Sequence, residues 1–382
     1  MAFMPWREPE ILDGRDSFVA VVDFMSERGV KRPLIVCDRP AVERGALTPF
    51  FDKAEGVLDC AVYDGVLPNP TVEQVERGLA IYKSNACDGI LAFGGGSVMD
   101  CAKAIGARAV RPDKSVNRMK GLLKVGRRLP PLFAVPTTAG TGSECTVAAV
   151  ITDGVNHDKY AINDFKLIPR YAVLDCTLTQ SLPPFLTATT GMDALTHAVE
   201  AYVGRGNTAK SKRNAERAVK LIFDNLEEAT TNGNNLVARD NMQHAAYLAG
   251  LAFTRAYVGY VHALAHALGG KYGLAHGYAN AVLLPAVLDE YGKSAYKPLS
   301  KLAKIAEIAD ENDKPAVAAI KFVQAVRDLN DRLSIPATFE GKIKEEDLDG
   351  LAAHADREAN PLYPVPKLLN KDELKRIYRK VM

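Results

Sequence analysis

Near Pro183 and Pro184 the chain changes its pattern, so any fold it adopts must join two kinds of architecture. Upstream, short β-rich apolar runs alternate with helical stretches. RPLIVCD (32–38) ends on an acid, DGILAFGGGS (88–97) runs into glycines, and LPPLFAVPTTAGTGSE (129–144) runs into threonines and glycines. TVAAVITD (146–153) alternates, YAVLDC (171–176) is another short run, and TVEQVERGLAIYKSN (71–85) has helical spacing. Strands alternating with helices argue for βαβ units and a largely parallel sheet. Downstream of SLPPF (181–185) the patterns are long, helical and rich in alanine and leucine. They are GMDALTHAVEAY (191–202), AKSKRNAERAVKLIFDNL (209–226), RDNMQHAAYLAGLAF (239–253), VHALAHALGG (261–270), KPAVAAIKFVQAVRDLNDRL (314–333) and KDELKRIYRKVM (371–382). The expected organisation is an α/β domain over residues 1–182 and an all-helical domain over 183–382.

A length of 382 residues fits two domains, and 47% hydrophobic residues are enough for a large core. A formal net charge of +2 with no basic run gives no reason to expect nucleic acid or an anionic membrane as partner. No apolar run reaches the roughly 18 residues that span a bilayer, and MAFMPWREPEILDGRD lacks the pattern of a secretion signal. The six cysteines, Cys37, Cys60, Cys87, Cys101, Cys145 and Cys176, include no CxxC pair. In so large a chain they read as buried thiols of a reduced compartment, and a cytoplasmic location is expected.

Three of the seven histidines fall within fifteen residues, HALAHALGGKYGLAH (262–276). His262 and His266 are four apart on a helical pattern and share one face, and Asp193 and His197 have the same spacing in GMDALTHAVEAY. Both segments are otherwise apolar, and an aspartate facing an apolar interior must be paired or bound to metal. Gly269, Gly270 and Gly273 are expected to form a turn that brings His276 back over the helix. One carboxylate with three or four imidazoles suits a borderline divalent ion such as Fe(II), Zn(II), Co(II) or Mn(II). The spacing does not say which of His262 and His266 is the ligand. His157, His244 and His354 lack such company and read as structural or surface residues.

GGGSVMDCAKAIG (94–106) follows a strand and opens a helix. Gly94, Gly95 and Gly96 let backbone N–H groups approach an anion, with Ser97 as the expected N-cap, an arrangement that suits a pyrophosphate. It matches neither a Walker motif nor GxGxxG, and a purely structural turn has the same look. In PTTAGTGSE (136–144), Thr137, Thr138 and Thr141 can bond phosphate oxygens or the nicotinamide end of a cofactor, or simply form a turn. Asp38 can accept hydrogen bonds from a ribose diol and repel a 2′-phosphate. It precedes the glycine loop, whereas the usual fingerprint puts the acid about 20 residues after it; Arg39 beside it leaves NADP open next to NAD.

Taken together, these segments resemble the iron-containing (group III) alcohol dehydrogenases over essentially the full length. The matching pieces are PNPT (68–71), FGGGSVMDCAKAIG (93–106), VPTTAGTGSE (135–144), the lysine of HDKYAI (157–162), GMDALTHAVEAY (191–202), GLAF (250–253), HALAHALGG (262–270), HGYANAVLLP (276–285) and ANP (359–361). The resemblance implies a dinucleotide-binding α/β domain, an all-helical C-terminal domain, and a site in the cleft between them. It implies metal ligation by Asp193, His197, His262 and His276, with His266 near the nicotinamide. It implies cofactor contacts from Asp38, Asn69, Gly95, Gly96, Ser97, Asp100, Thr137, Thr138, Thr141, Lys159 and Leu178. Fe(II) is the metal it implies, Zn(II) or another divalent ion fits the same ligands, and a homodimer or larger homo-oligomer is the expected assembly.

The activity so implied is hydride transfer between NAD or NADP and a small primary alcohol, diol or hydroxy acid, or its aldehyde. His266 either relays a proton to solvent or only orients a ligand or the nicotinamide. Arg255, Ala267, Tyr257 and Tyr260 depart from the family pattern close to the expected pocket. Arg255 either favours an acidic substrate or is a surface arginine. The rivals are a glycerol-dehydrogenase-like polyol oxidoreductase, a dehydroquinate-synthase-like lyase, and, from other classes, a metallohydrolase using the His/Asp cluster or an idle scaffold. The metallohydrolase reading leaves the glycine loop and Asp38 unexplained.

Overall fold

A computed structural model describes residues 7–154 and 159–382; His157 lies outside the described residues. Contacts divide the chain into two units that meet between Gln180 and Ser181.

In the first unit the elements run β1 (Glu10–Asp13), α1 (Ser17–Glu27), β2 (Pro33–Val36), α2 (Arg39–Glu43), α3 (Thr48–Ala54), β3 (Ala61–Tyr63), α4 (Val72–Ser84), β4 (Gly89–Gly94) and α5 (Gly96–Val110). There follow β5 (Gly121–Leu122), β6 (Leu132–Pro136), β7 (Ala148–Thr152), β8 (Lys159–Asn163) and β9 (Tyr171–Leu174). Six strands form one sheet in the order β1-β9-β6-β4-β2-β3, with every pairing parallel. A parallel sheet is covered on both faces, so its central strands are apolar throughout. Successive residues of a strand point to opposite faces. Leu34, Val36, Ile90 and Ala92 accordingly pack with Val98, Met99 and Ile105 of α5, whereas Ile35, Leu91 and Phe93 pack with Phe18, Val21 and Met25 of α1 and Phe50 of α3. TVAAVITD does not join this sheet: its strand β7 pairs antiparallel with β8 in a separate sheet of order β5-β8-β7.

From β2 the chain moves outward to β3, then returns to the other side of β2 for β4 and continues to β6. Strand order therefore reverses between β2 and β4, and in open α/β sheets the crevice at the carboxyl ends of two such strands is where ligands bind. Asp38 follows β2 and the glycine loop follows β4. The acid precedes the glycines in the chain, yet their strands are neighbours, so the inverted chain order is no obstacle.

The second unit is helical: α6 (Pro184–Val203), α7 (Ala209–Thr231), α8 (Leu236–Ala256), α9 (Tyr260–Tyr272), α10 (His276–Tyr291), α11 (Tyr296–Ile305), α12 (Pro315–Arg332), α13 (Leu348–Ala359) and α14 (Lys371–Lys380). Helix α6 is buried on nearly all sides from Thr187 to Val203, the mark of a helix at the centre of a core. Surface helices carry clear start signals; Thr208 and Ser211 form a reciprocal capping box at α7, as do Asn370 and Glu373 at α14.

Two local expectations are corrected. Gly269 and Gly270 lie inside α9, which continues to Tyr272; only Gly273, in the left-handed region at φ 68°, ends it. A helix interior tolerates glycine at a cost of about 1 kcal/mol, whereas a left-handed C-cap strongly favours it. Ser97 is not the N-cap of α5. Gly95 takes that place in an extended conformation, and the Ser97 hydroxyl instead accepts a hydrogen bond from the Asn69 N–H at 3.3 Å.

Candidate active site

Helix α6 carries Asp193 and His197 one turn apart, α9 carries His262, and His276 opens α10. Each offers a ligand atom, and these atoms all lie within 4.8 Å of one another. Asp193, His197 and His262 are buried, while the His276 side chain keeps 36% exposure, so the cluster is accessible from the His276 side. The helices approach closely because α10 has glycine after its first residue: a Cβ on Gly277 would stand 2.4 Å from the Thr189 carbonyl oxygen of α6.

Hydrogen bonds define the donor character of the cluster. His262 Nδ1 lies 2.6 Å from Glu200 Oε2, which also accepts from the Gly259 N–H, while Oε1 accepts from the Val261 N–H. Burial pushes the Glu200 carboxyl up, to about 8, and the backbone N–H groups of Gly259, Val261 and His262 oppose the shift. Both oxygens already accept N–H groups, so the ionised form is the one the geometry suits. Burial, and then the neighbouring His197, His276 and His266, hold His262 well below the usual imidazole range. A neutral imidazole that donates from Nδ1 leaves a lone pair on Nε2. On that side the Asn280 amide nitrogen lies 2.6 Å from Asp193 Oδ1, 3.3 Å from His262 Nε2 and 3.1 Å from His276 Nε2. An amide has two protons to offer to these three acceptors. One carboxylate oxygen and convergent imidazole nitrogens fit a borderline divalent cation, which satisfies all of them at once.

His266 stands beside this group but outside it. Its ring stacks on His276 at 5.1 Å between centroids and lies 6.0 Å from the His262 ring. Its Nδ1 is 2.6 Å from Glu358 Oε1, which also accepts from the Tyr363 hydroxyl at 2.7 Å. His354 shares Glu358, 3.8 Å from its other oxygen, and His244 pairs with Asp240 at 3.5 Å. His197 stacks on Phe253 with centroids 4.1 Å apart.

In the α/β unit, Asp38 caps α2 by accepting from the Ala41 N–H at 2.8 Å. A Cβ on Gly96 would meet Thr141 Cγ2 at 2.7 Å, so the loop after β6 lies directly against the first turn of α5. Thr138 flanks Gly95, the Thr137 N–H donates to the Gly94 carbonyl, and Thr141 Oγ1 accepts from the Ser143 N–H. The result is a narrow cradle at a helix N-terminus, of the kind that takes a phosphate. Lys159 Nζ donates to Asn69 Oδ1 at 2.7 Å, and burial lowers its pKa. Asp100 is turned inward: its oxygens accept from Ser143 Oγ at 2.8 Å and the Val150 N–H at 3.0 Å. Leu178 packs, half-buried, against the apolar cluster under α1 and α3.

A family model described as "Fe-containing alcohol dehydrogenase family, C-terminal" matches residues 187–382, and one described as "Iron-containing alcohol dehydrogenase" matches residues 9–176. The chain belongs to the iron-containing alcohol dehydrogenase family. It is 40% identical over 381 residues to "Alcohol dehydrogenase 4" of Schizosaccharomyces pombe, covering 97% of this chain and 87% of that protein. It is 37% identical over 349 residues to "NAD-dependent methanol dehydrogenase" of Bacillus methanolicus, covering 91% and 90%. A crystal structure of 1,3-propanediol oxidoreductase superposes with a TM-score of 0.95 at 34% identity, covering 100% of both chains. The protein is thus an oxidoreductase, an alcohol dehydrogenase.

Within this iron-containing alcohol dehydrogenase, several residues near the histidines escaped the sequence reading. Glu200 follows His197 by three and Asn280 follows His276 by four, so each repeats along the helix face that already carries a histidine; that spacing was the available signal. Phe253 lies in the GLAF (250–253) piece of the resemblance, and Glu358 had no signal. Lys103, also overlooked, is fully buried, and its Nζ lies 2.8–3.1 Å from Ser143 Oγ, both oxygens of Thr146 and the Ala148 carbonyl. Tyr260, expected near a substrate, is fully buried instead; its hydroxyl donates to Asn360 Oδ1 and accepts from the Leu369 N–H. Tyr257 ends α8 at φ 66° and ψ 180°, a region that glycine favours. Arg255 is half-exposed in the last turn of α8, where a cation complements the helix dipole.

Proposed function

We propose that Asp193, His197, His262 and His276 hold a divalent cation, Fe(II) in the native enzyme, and that NAD lies at the strand reversal between β2 and β4. The substrate is a small primary alcohol, diol or hydroxy acid, or the corresponding aldehyde. The observation that carries this reading is the convergence of the four ligand atoms within 4.8 Å. When bound, the cation supplies Lewis acidity toward the substrate oxygen, and the nicotinamide gives or takes the hydride.

The chain's own groups do the rest. The N-terminus of α5 with Gly95, Gly96 and Ser97 receives the pyrophosphate, and Thr137, Thr138 and Thr141 line the opposite wall. Asp38 accepts from the adenosine ribose diol and disfavours a 2′-phosphate, and the name of the methanol dehydrogenase relative supports NAD in the same sense. Asn69 and Lys159 are joined by a hydrogen bond and act together toward the cofactor, with Asp100 bracing the loop from inside and Leu178 supplying an apolar contact. His266, anchored through Nδ1 by Glu358, is the group that takes or returns a proton. The buried thiols support a cytoplasmic location, and a homodimer or larger assembly is what the resemblance implies. Among the described residues, no helix is long and apolar enough to cross a membrane.

The test is an anaerobic screen of primary alcohols, diols, hydroxy acids and their aldehydes with NAD(H), with and without added Fe(II). Cation-dependent turnover of at least one class is expected. Turnover that survives exhaustive chelation overturns the proposal.

A further inference from the structure

Glu200 is 3% exposed and lies in the centre of the helical unit, where an unpaired carboxylate is very costly. It is not unpaired. From α6 it reaches the start of α9, where Oε2 accepts from the Gly259 N–H at 2.8 Å and Oε1 from the Val261 N–H at 2.8 Å. The third partner is His262 Nδ1, 2.6 Å from Oε2. One side chain thus grips the first turn of α9 and the histidine that this turn carries.

The consequence lies on the far side of the ring. A neutral imidazole has a single N–H; held on Nδ1, it leaves the lone pair on Nε2, which faces the Asn280 amide and Asp193 Oδ1. With the proton on Nε2 instead, an N–H would point at the place where a cation must sit. His197 is oriented by different means, through stacking on Phe253 and on the His262 ring at 4.4 Å. The His262 tautomer therefore depends on Glu200, and its ring direction on Glu200 together with that stack.

We propose that Glu200 is a positioning residue for the metal site, fixing the Nδ1–H tautomer and the orientation of His262 so that Nε2 is presented for ligation. The proposal rests on the reading of Asp193, His197, His262 and His276 as metal ligands. Partners of ligating histidines of this kind change metal affinity by roughly 10–100-fold when lost. Glu200→Gln is the sharpest probe. It is isosteric, but its amide sets an N–H against either His262 Nδ1–H or a backbone N–H.

The experiment measures Co(II) and Zn(II) affinity by competition with a chromogenic chelator, together with the visible spectrum of the Co(II) form and the thermal midpoint of the metal-free protein. The wild type is expected to bind one equivalent. Glu200→Gln is expected to bind about 10–100-fold more weakly, with a shifted Co(II) spectrum. A variant that loses thermal stability but keeps wild-type affinity and spectrum makes Glu200 a helix cap only, and overturns the proposal. If Glu200→Gln does not fold, Glu200→Asp carries the test; it keeps the charge but withdraws the oxygens by one methylene, and unchanged affinity and spectrum in it overturn the proposal equally. Failure of the wild type itself to bind a cation removes the metal-ligand reading beneath, a different result from either.

Discussion

Asn280 of α10 donates to Asp193 of α6, Nδ2 to Oδ1, at 2.6 Å, and both side chains are buried. The Asn280 Oδ1 has no partner among the described residues. The amide thus serves the carboxylate at the expense of its own oxygen, which ties its presence to the cluster. Hydrogen bonds to charged groups contribute about 1.5–3 kcal/mol. Asn280→Ala is expected to weaken cation binding by roughly tenfold through misorientation of Asp193, as read by chelator competition. Unchanged affinity would show that Asp193 needs no such support.

Gly277 sets the spacing of the same two helices. A Cβ there meets the Thr189 carbonyl oxygen at 2.4 Å and lies 3.4 Å from Asp193 Cβ. Because the obstacle is backbone, α10 must shift as a whole. Gly277→Ala is expected to lower stability by roughly 1–3 kcal/mol in urea unfolding and to weaken cation binding, since His276 moves with the helix. A variant with the wild-type unfolding midpoint would mean that the contact relaxes freely.

Glu144, in the turn after β6, is 2% exposed. Burial raises its carboxyl to about 7 from an ordinary 4.5, opposed by its own backbone N–H and by Lys103. Between those two values the folded state holds the proton that the unfolded chain releases. The Glu144 contribution to the stability of the metal-free protein is therefore expected to fall as pH rises from 4.5 to 7. The Glu144 contribution is at most roughly 3 kcal/mol. Urea midpoints of the wild type minus those of Glu144→Gln isolate this term. A difference that stays flat, or climbs, across the window contradicts the assigned environment.

Periodicity and chemistry made much of this legible. The alternation of short apolar runs with helical stretches gave the parallel sheet, and the apolar setting of Asp193 and His197 marked them as a pair. What stayed hidden depends on the third dimension. His262 and His266 share one face of α9, and only the return of α10 and the position of Glu358 separate them. Asp38 looked misplaced because chain order conceals that β2 and β4 are neighbours. Strands as short as EILD and AVY carry too few residues for alternation to register, and the hydrogen bonds that hold Asp100 and Tyr260 come from segments distant in sequence.

Asp38 yields a cofactor prediction. Its side chain caps α2 at the end of β2, beside the strand that leads into the glycine loop. Asp38→Ala is expected to cost about 1 kcal/mol of stability through the lost cap. It is also expected to improve kcat/KM with NADP relative to NAD by about tenfold, a difference of 1.4 kcal/mol. Initial rates with both cofactors measure this, and an unchanged ratio would place the ribose elsewhere.

Convergence of Asp193, His197, His262 and His276 on one cation is decided by metal content per chain after chelation and anaerobic reconstitution, compared among wild type, His262→Ala and His266→Ala. One equivalent in the wild type and in His266→Ala, with loss in His262→Ala, is the predicted result. Full occupancy in His262→Ala, or loss in His266→Ala with retention in His262→Ala, would contradict it.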